Sequence, residues 1–117
     1  DEAPLVSHPL NRLLAACFHA VILSEDGQQP SELFSASARV DAQYRTHYYS
    51  RPEELCARAF EAFVQDRAPG SAFLAKGTKR SLEAQLGLYP RAQQRQRINR
   101  AFQAYFQQLG AALWRQG

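Results

Sequence analysis

Apolar residues recur along this chain at steps of three and four, the spacing that places side chains on one face of an α-helix. One such series begins near the amino end and contains Leu10, Leu13, Leu14, Cys17, Phe18, Val21 and Ile22. A second lies near the carboxyl end and contains Ile98, Ala101, Phe102, Tyr105, Phe106, Leu109 and Leu113. No alternating strand pattern competes with them, so the sequence predicts an all-α fold.

Helix-capping residues divide the first part of the chain into two helices. Ser7 is a suitable cap for a helix that has Pro9 in its first turn and runs to about Ser24. Turn-forming residues follow, and Ser31 is placed to cap a second helix that runs to about Arg45.

A capping box predicts the start of a third helix. In Ser50-Arg51-Pro52-Glu53 the Ser50 hydroxyl is expected to accept the N–H of Glu53, while the Glu53 carboxylate reaches back. This helix is expected to end before Ala68, where Pro and Gly follow. Its apolar side should pack Phe60 and Phe63 against Ile98, Phe102 and Phe106 of the last helix, so Phe60→Ala should cost about 3–5 kcal/mol.

The remainder of the chain is predicted to contain a loop, a short helix and a long last helix. Residues 67–80 form the loop, with 71–75 extended, and Ser81 is placed to cap the short helix. A turn at Tyr89-Pro90 precedes the last helix. We therefore expect a compact single domain of four to five helices over residues 1–117.

Length and composition fit one globular domain of 117 residues, 45% hydrophobic and 21% charged. The chain contains no methionine, even at position 1, so we expect a domain from a larger protein whose other domains are among its partners. No apolar run approaches the roughly 18 residues of a membrane span. Cys17 and Cys56 lie in apolar helical patterns and should be free thiols, which suits the cytoplasm.

Charge is distributed unevenly along the chain, although the net charge is only +3. After residue 75 the one acidic residue is Glu83, and the basic residues there are Lys76, Lys79, Arg80, Arg91, Arg95, Arg97, Arg100 and Arg115. All except Arg115 are assigned to a candidate nucleic-acid or anion site around Tyr89-Pro90, at the start of the last helix. Two interpretations stay open, a surface that binds nucleic acid or an acidic protein and an ordinary solvated face.

No catalytic motif is recognisable, and no cofactor or metal is predicted. The sequence lacks His-Glu-x-x-His, a nucleophile elbow and a Gly-rich phosphate loop. Glu54, Arg58 and Glu61 are spaced to form one polar row on the third helix, where Arg58 should pair with either carboxylate. The row is either a set of helix-stabilising ion pairs or a functional polar cluster.

Three motifs carry a resemblance to a known family. They are the run Tyr48–Phe63, the patch Ala72-Phe73-Leu74 with Tyr89-Pro90, and the run Arg95-Gln96-Arg97-Ile98-Asn99-Arg100-Ala101-Phe102. In order and spacing, over about residues 33–109, they resemble the large polyvalent protein-associated domain of the first type. The resemblance implies an accessory module of phage, plasmid and integrative-element proteins, found beside DNA-processing and antirestriction modules. Cys56 departs from the aromatic residue frequent in that family.

The third helix is also similar to the third-ligand helix of gluzincin peptidases, in which Glu54 would be the zinc ligand. The sequence lacks the His-Glu-x-x-His motif that would supply the other ligands.

From the family motifs and the uneven charge, we expect a non-catalytic interaction module that binds nucleic acid or a host defence protein. The alternative is an enzyme, either a hydrolase fragment or a degenerate zincin-related domain.

Overall fold

The computed structural model describes residues 9–67 and 81–116, with side chains as far as Trp114. Five α-helices follow one another in these residues: α1 Pro9–Ile22, α2 Glu32–Tyr44, α3 Pro52–Arg67, α4 Leu82–Gln85 and α5 Ala92–Gln116. The described ranges contain no β-strand, only an isolated bridge between Leu23 and Pro30. The predicted all-α fold with a long carboxyl-terminal helix is confirmed.

Two of the predicted helix caps are confirmed. The Ser31 hydroxyl accepts a hydrogen bond from the Phe34 N–H at 3.1 Å, and the Ser81 hydroxyl accepts one from the Ala84 N–H at 3.2 Å. Each bond satisfies a backbone donor that has no partner within its own helix. The predicted cap at Ser7 and residues 68–80 of the predicted loop, including the extended stretch 71–75, lie outside the described residues, whereas Arg67 is the last residue of α3.

The predicted capping box at Ser50 is wrong. The Ser50 hydroxyl donates to Asp41 Oδ2 at 2.7 Å, and the Ser50 N–H donates to the same oxygen at 2.9 Å. The first turn of α3 is closed instead by the Arg51 carbonyl, which accepts the Leu55 N–H at 2.9 Å. The reason is tertiary, because the Asp41 carboxylate takes the Ser50 N–H that the Glu53 carboxylate would have bound, and it takes the Ser50 hydroxyl as well.

The core lies where α1 and α3 pack against α5. The ends of α1 and α3 both lie beside the start of α5, since Gln94 contacts Val21 and Arg95 contacts Asp66. The buried apolar cluster consists of Cys17, Ala20, Val21, Leu33, Leu55, Ala59, Phe63, Ile98 and Phe102. Both cysteines are free, as predicted, and burial, with a smaller contribution from Cys56, raises the pKa of the Cys17 thiol to about 11. Cys17 therefore behaves as a buried apolar residue.

Aromatic rings join α3 to α5. The Phe63 ring centroid lies 5.6 Å from that of Phe102 and 5.9 Å from that of Phe106. The Phe60 ring lies 6.3 Å and 5.7 Å from the same two rings. The predicted packing of both phenylalanines against these rings is confirmed, but Phe63 is 8% exposed and Phe60 is 44% exposed.

The turn between α4 and α5 requires a glycine. Gly87 has φ +85°, and a Cβ atom there would lie 2.8 Å from the Cβ of Ala36, too close for any side chain. This close approach lets Leu88 enter the core, where it is 1% exposed. In the described part of the chain, no helix is long and apolar enough to cross a membrane.

Candidate functional site

Arg58 of the polar row on α3 is buried and donates to three separate segments. Its Nε donates to the Leu88 carbonyl at 2.6 Å, and its Nη2 donates to the Tyr49 carbonyl at 2.6 Å and to the Ser37 hydroxyl at 2.9 Å. Burial lowers the pKa of Arg58, although an arginine stays charged at neutral pH. Its guanidinium thus binds α2, the loop before α3 and the turn before α5 together.

The predicted ion pair of Arg58 with Glu54 or Glu61 is absent from the contacts of the described residues, so that prediction is corrected. Glu61 accepts a hydrogen bond from the Tyr89 hydroxyl at 2.9 Å. Burial, followed by this bond, raises the pKa of Tyr89 to about 12. Arg58 does not pair with these carboxylates because its guanidinium donors are taken by buried carbonyl oxygens, which have no water to bind.

Glu54, the third member of the row, lies in the first turn of α3, next to the loop that precedes this helix. A hydrogen bond to Glu54 raises the pKa of the exposed Tyr48 hydroxyl. The charge of Glu54 also opposes the lowering of the Arg58 pKa, so the two groups interact electrostatically at longer range. The row therefore binds the loop before α3 and the turn before α5, and Arg58 also binds α2.

Arg95 is buried in an ion pair, which corrects its placement in the basic surface cluster. Its Nε lies 2.8 Å from Asp66 Oδ2, and its Nη2 donates to Asp66 Oδ1 at 3.0 Å. Asn99, one turn later on α5, also donates to Asp66 Oδ2, at 2.7 Å. A bidentate arginine–carboxylate pair is among the strongest polar contacts in proteins.

Every residue of the turn Leu88-Tyr89-Pro90 is bound by a side chain from α3 or α5. Arg58 donates to the Leu88 carbonyl, Glu61 accepts from the Tyr89 hydroxyl, and Arg95 Nη1 donates to the Pro90 carbonyl at 3.0 Å. The motif on α3 and the motif on α5 therefore act on the same turn. Together they fix the position at which α5 begins.

Sequence reasoning missed Gln94, which joins three helices. Its Oε1 accepts the Leu33 N–H at 2.9 Å, and its Nε2 donates to the carbonyls of Ala20 and Val21 at 3.1 and 3.2 Å. One feature of the sequence could have identified it, because Gln94 lies four residues before Ile98 on the apolar face of α5.

Asp41 is a second residue that sequence reasoning missed, and its carboxylate binds the loop before α3. Its carboxylate accepts the N–H groups of Tyr48, Tyr49 and Ser50 and the Ser50 hydroxyl. Burial acts to raise the pKa of Asp41, but these hydrogen bonds lower it to about 2. The group is therefore ionised at neutral pH, and it fixes the loop that leads into α3.

The remaining predicted basic residues are distributed over separate places. Arg91 and Arg100 are exposed and Arg97 is half-buried, whereas Lys76, Lys79 and Arg80 lie outside the described residues. Arg97 and Arg100 share the side of α5 opposite to Arg95, and Arg97 lines a shallow depression with Glu25 and Glu32. Within the described ranges, the predicted convergence of all these cations on the Tyr89-Pro90 turn is therefore not found.

The outward side of α5 is polar and free of acidic residues. We call it the outer face of α5, and its members are Gln93, Gln96, Arg97, Arg100, Gln103 and Gln107. No Asp or Glu occurs anywhere in this 25-residue helix. The face can donate hydrogen bonds to an anionic partner from both guanidinium and amide groups.

The described residues contain no group of three or more His, Cys, Asp or Glu side chains arranged to hold a metal ion. The model of the family described as large polyvalent protein-associated domain 1 matches residues 40–113, close to the 33–109 expected from the motifs. No curated protein and no solved structure matches the chain.

Proposed function

We propose that this chain, which belongs to the large polyvalent protein-associated domain 1 family, is a non-catalytic interaction module that binds nucleic acid. We place it as an accessory part of a multidomain protein of a mobile genetic element, acting in the cytoplasm. The family supports the association with large polyvalent proteins, and the choice of partner rests on the outer face of α5.

The internal bonding of the motif residues supports a non-catalytic role. Arg58, Glu61 and Arg95 are the charged residues of the motifs on α3 and α5, and each is bound to the turn before α5. Asp66 accepts hydrogen bonds from both Arg95 and Asn99. Groups whose hydrogen-bonding capacity holds the backbone in place are poorly suited to bind and release a substrate.

The observation that carries the proposal is the outer face of α5, with Arg97 and Arg100 among glutamines and no carboxylate on the same helix. Exposed helices more commonly mix charges of both signs. Arg91, which is exposed, adds a third cation just before the start of the helix. Guanidinium groups bind phosphates, and amide side chains also contact phosphates and base edges, so the face is chemically suited to a nucleic-acid backbone.

The test is a fluorescence-anisotropy titration of labelled duplex and single-stranded DNA at low salt. We expect the wild type to bind and Arg97→Glu/Arg100→Glu to bind at least about tenfold more weakly, since each substitution replaces an attraction to phosphate with a repulsion. The control is Arg39→Glu/Arg45→Glu, which changes the net charge equally at exposed positions of α2 and its end.

Retained binding in the control, together with loss in the α5 variant, supports the proposal. Absence of wild-type binding at low salt would contradict it, and so would equal weakening in both variants. In that case an acidic protein, such as a host defence protein, becomes the better partner for the face.

A further inference from the structure

A second surface of the molecule is apolar and lies away from the outer face of α5. Phe18 of α1, Phe60 of α3 and Phe106 of α5 line one shallow groove. They are 47%, 44% and 39% exposed, respectively. Three large aromatic side chains that meet in solvent form a patch of the kind that proteins commonly use for association.

The patch continues along α5 past the groove. Phe102, Phe106, Leu109 and Leu113 follow one another at steps of four, three and four, the spacing of a seam between two paired helices. Leu113 is 59% exposed. The seam thus leads from the core to a stretch of α5 that the described residues leave uncovered. We call this surface, from Phe18 to Leu113, the apolar face.

Charge restricts what can cover the apolar face. Residues 101–114 contain no Asp, Glu, Lys, Arg or His, although the chain as a whole is charged. A polyanion would gain nothing from this neutral strip. An apolar partner without charge at the contact would meet no repulsion and no buried unpaired ion.

Gly110 supplies a separate observation on the same stretch of α5. A glycine inside an exposed helix weakens the helix, and a Cβ atom at Gly110 would have nothing within 4 Å. The packing of the described residues therefore gives no reason for a glycine here. A second helix lying close against this stretch would give one, since a missing side chain lets two backbones approach closely.

The area of the apolar face fits a pair of identical chains. A large apolar side chain exposes roughly 200 Å² when free, so Phe18, Phe60, Phe106 and Leu113 together leave roughly 400 Å² in solvent. A standard interface buries about 800 Å² on each partner, and the apolar share in homodimers is about two thirds. These four side chains supply most of that share.

We propose that a second copy of this chain covers the apolar face, with α5 of one protomer packed against α5 of the other about a twofold axis. A twofold contact presents the same uncharged strip from both sides, so each copy supplies the neutral apolar partner that the other requires. The outer faces of both α5 helices remain open to solvent in this dimer. The inference is independent of the nucleic-acid proposal.

The test is sedimentation equilibrium of the full chain over micromolar to submillimolar concentrations. The wild type should approach twice the 13.2 kDa mass of one chain as concentration rises. Leu113→Gln changes one exposed residue and should weaken the association at least about tenfold with an unchanged melting temperature of the dilute monomer. The matched control is Leu82→Gln on α4, which is also exposed but lies in a different helix.

A dimer that persists in Leu82→Gln and is lost in the α5 variant supports the inference. A wild type that stays monomeric at every concentration overturns it. A dimer equally stable in the α5 variant also overturns it, since the contact must then lie elsewhere.

Discussion

Arg58 on α3 and Leu88 in the turn before α5 are joined by a 2.6 Å hydrogen bond from Nε to the carbonyl oxygen, across 30 positions of sequence. The bond is buried, and the same guanidinium also binds the Tyr49 carbonyl. Removing the side chain would leave buried carbonyl oxygens without a donor. The α3 motif thus contributes to folding through bonds that a search for catalytic groups would overlook.

We predict that Arg58→Ala lowers the free energy of unfolding by about 3 kcal/mol or more, because several charge-assisted hydrogen bonds are lost from a buried site. Arg58→Lys keeps the charge but not the planar fork and should lose about 2 kcal/mol. Urea unfolding measures both, with the exposed Arg39→Ala as control at under about 0.5 kcal/mol. Equal stability of Arg58→Ala and the control would refute the role assigned to Arg58.

A double-mutant cycle on Arg95 and Asp66 should give strong coupling. Arg95→Ala leaves the Asp66 carboxylate without its ion-pair partner and is expected to cost about 3–5 kcal/mol. The coupling energy of the pair should be about 1–3 kcal/mol by chemical denaturation. Additive effects of the two substitutions would show that the 2.8 Å contact contributes little. Charge reversal at Arg95 should therefore unfold the domain, so Arg95 is unsuitable for testing a binding surface.

The sequence was sufficient for the features that depend on local spacing. Helix order follows from the apolar periodicity, and the caps at Ser31 and Ser81 follow from residue type. Ser50 and Arg95 were misplaced because their partners, Asp41 and Asp66, are distant in sequence and contact them only after folding.

One pattern could have placed Arg95 correctly. Arg95, Asn99 and Phe102 recur at steps of four and three, so they share the side of α5 that faces the core. The hydrogen bonds that Arg58, Glu61 and Arg95 make to the turn before α5 have no comparable local pattern in the sequence. It depends on the tertiary approach of α3, the turn and α5, which residue spacing alone does not specify.

Asp41 should make stability depend on pH in the acid range. Its folded pKa of about 2 lies below the ordinary value of an aspartate, about 3.9. The stabilisation is therefore complete above about pH 4 and is lost as pH falls through the folded pKa. Asp41→Asn should cost about 2–4 kcal/mol at neutral pH and remove this part of the acid dependence, measured by urea unfolding from neutral to acid pH. Parallel acid profiles of variant and wild type would contradict the assignment.

The two phenylalanines of α3 should differ in their contribution to stability. Phe63→Ala removes a buried ring and should cost about 3–5 kcal/mol. Phe60→Ala removes a ring that is 44% exposed and should cost only about 1–2 kcal/mol, less than the sequence alone suggested. Thermal unfolding of both variants decides the comparison, and a larger loss for Phe60→Ala would show that the exposed ring is covered in solution.

The salt dependence of DNA binding tests the proposed function most directly. Each phosphate neutralised by a cation adds about 0.9 to the magnitude of the slope of log affinity against log salt. If Arg97 and Arg100 contact phosphates, Arg97→Glu/Arg100→Glu should reduce the magnitude of the wild-type slope by about 2, whereas Arg39→Glu/Arg45→Glu should leave it unchanged. Wild-type affinity that does not depend on salt, or a slope that is the same in both double variants, would contradict nucleic-acid binding by the outer face of α5.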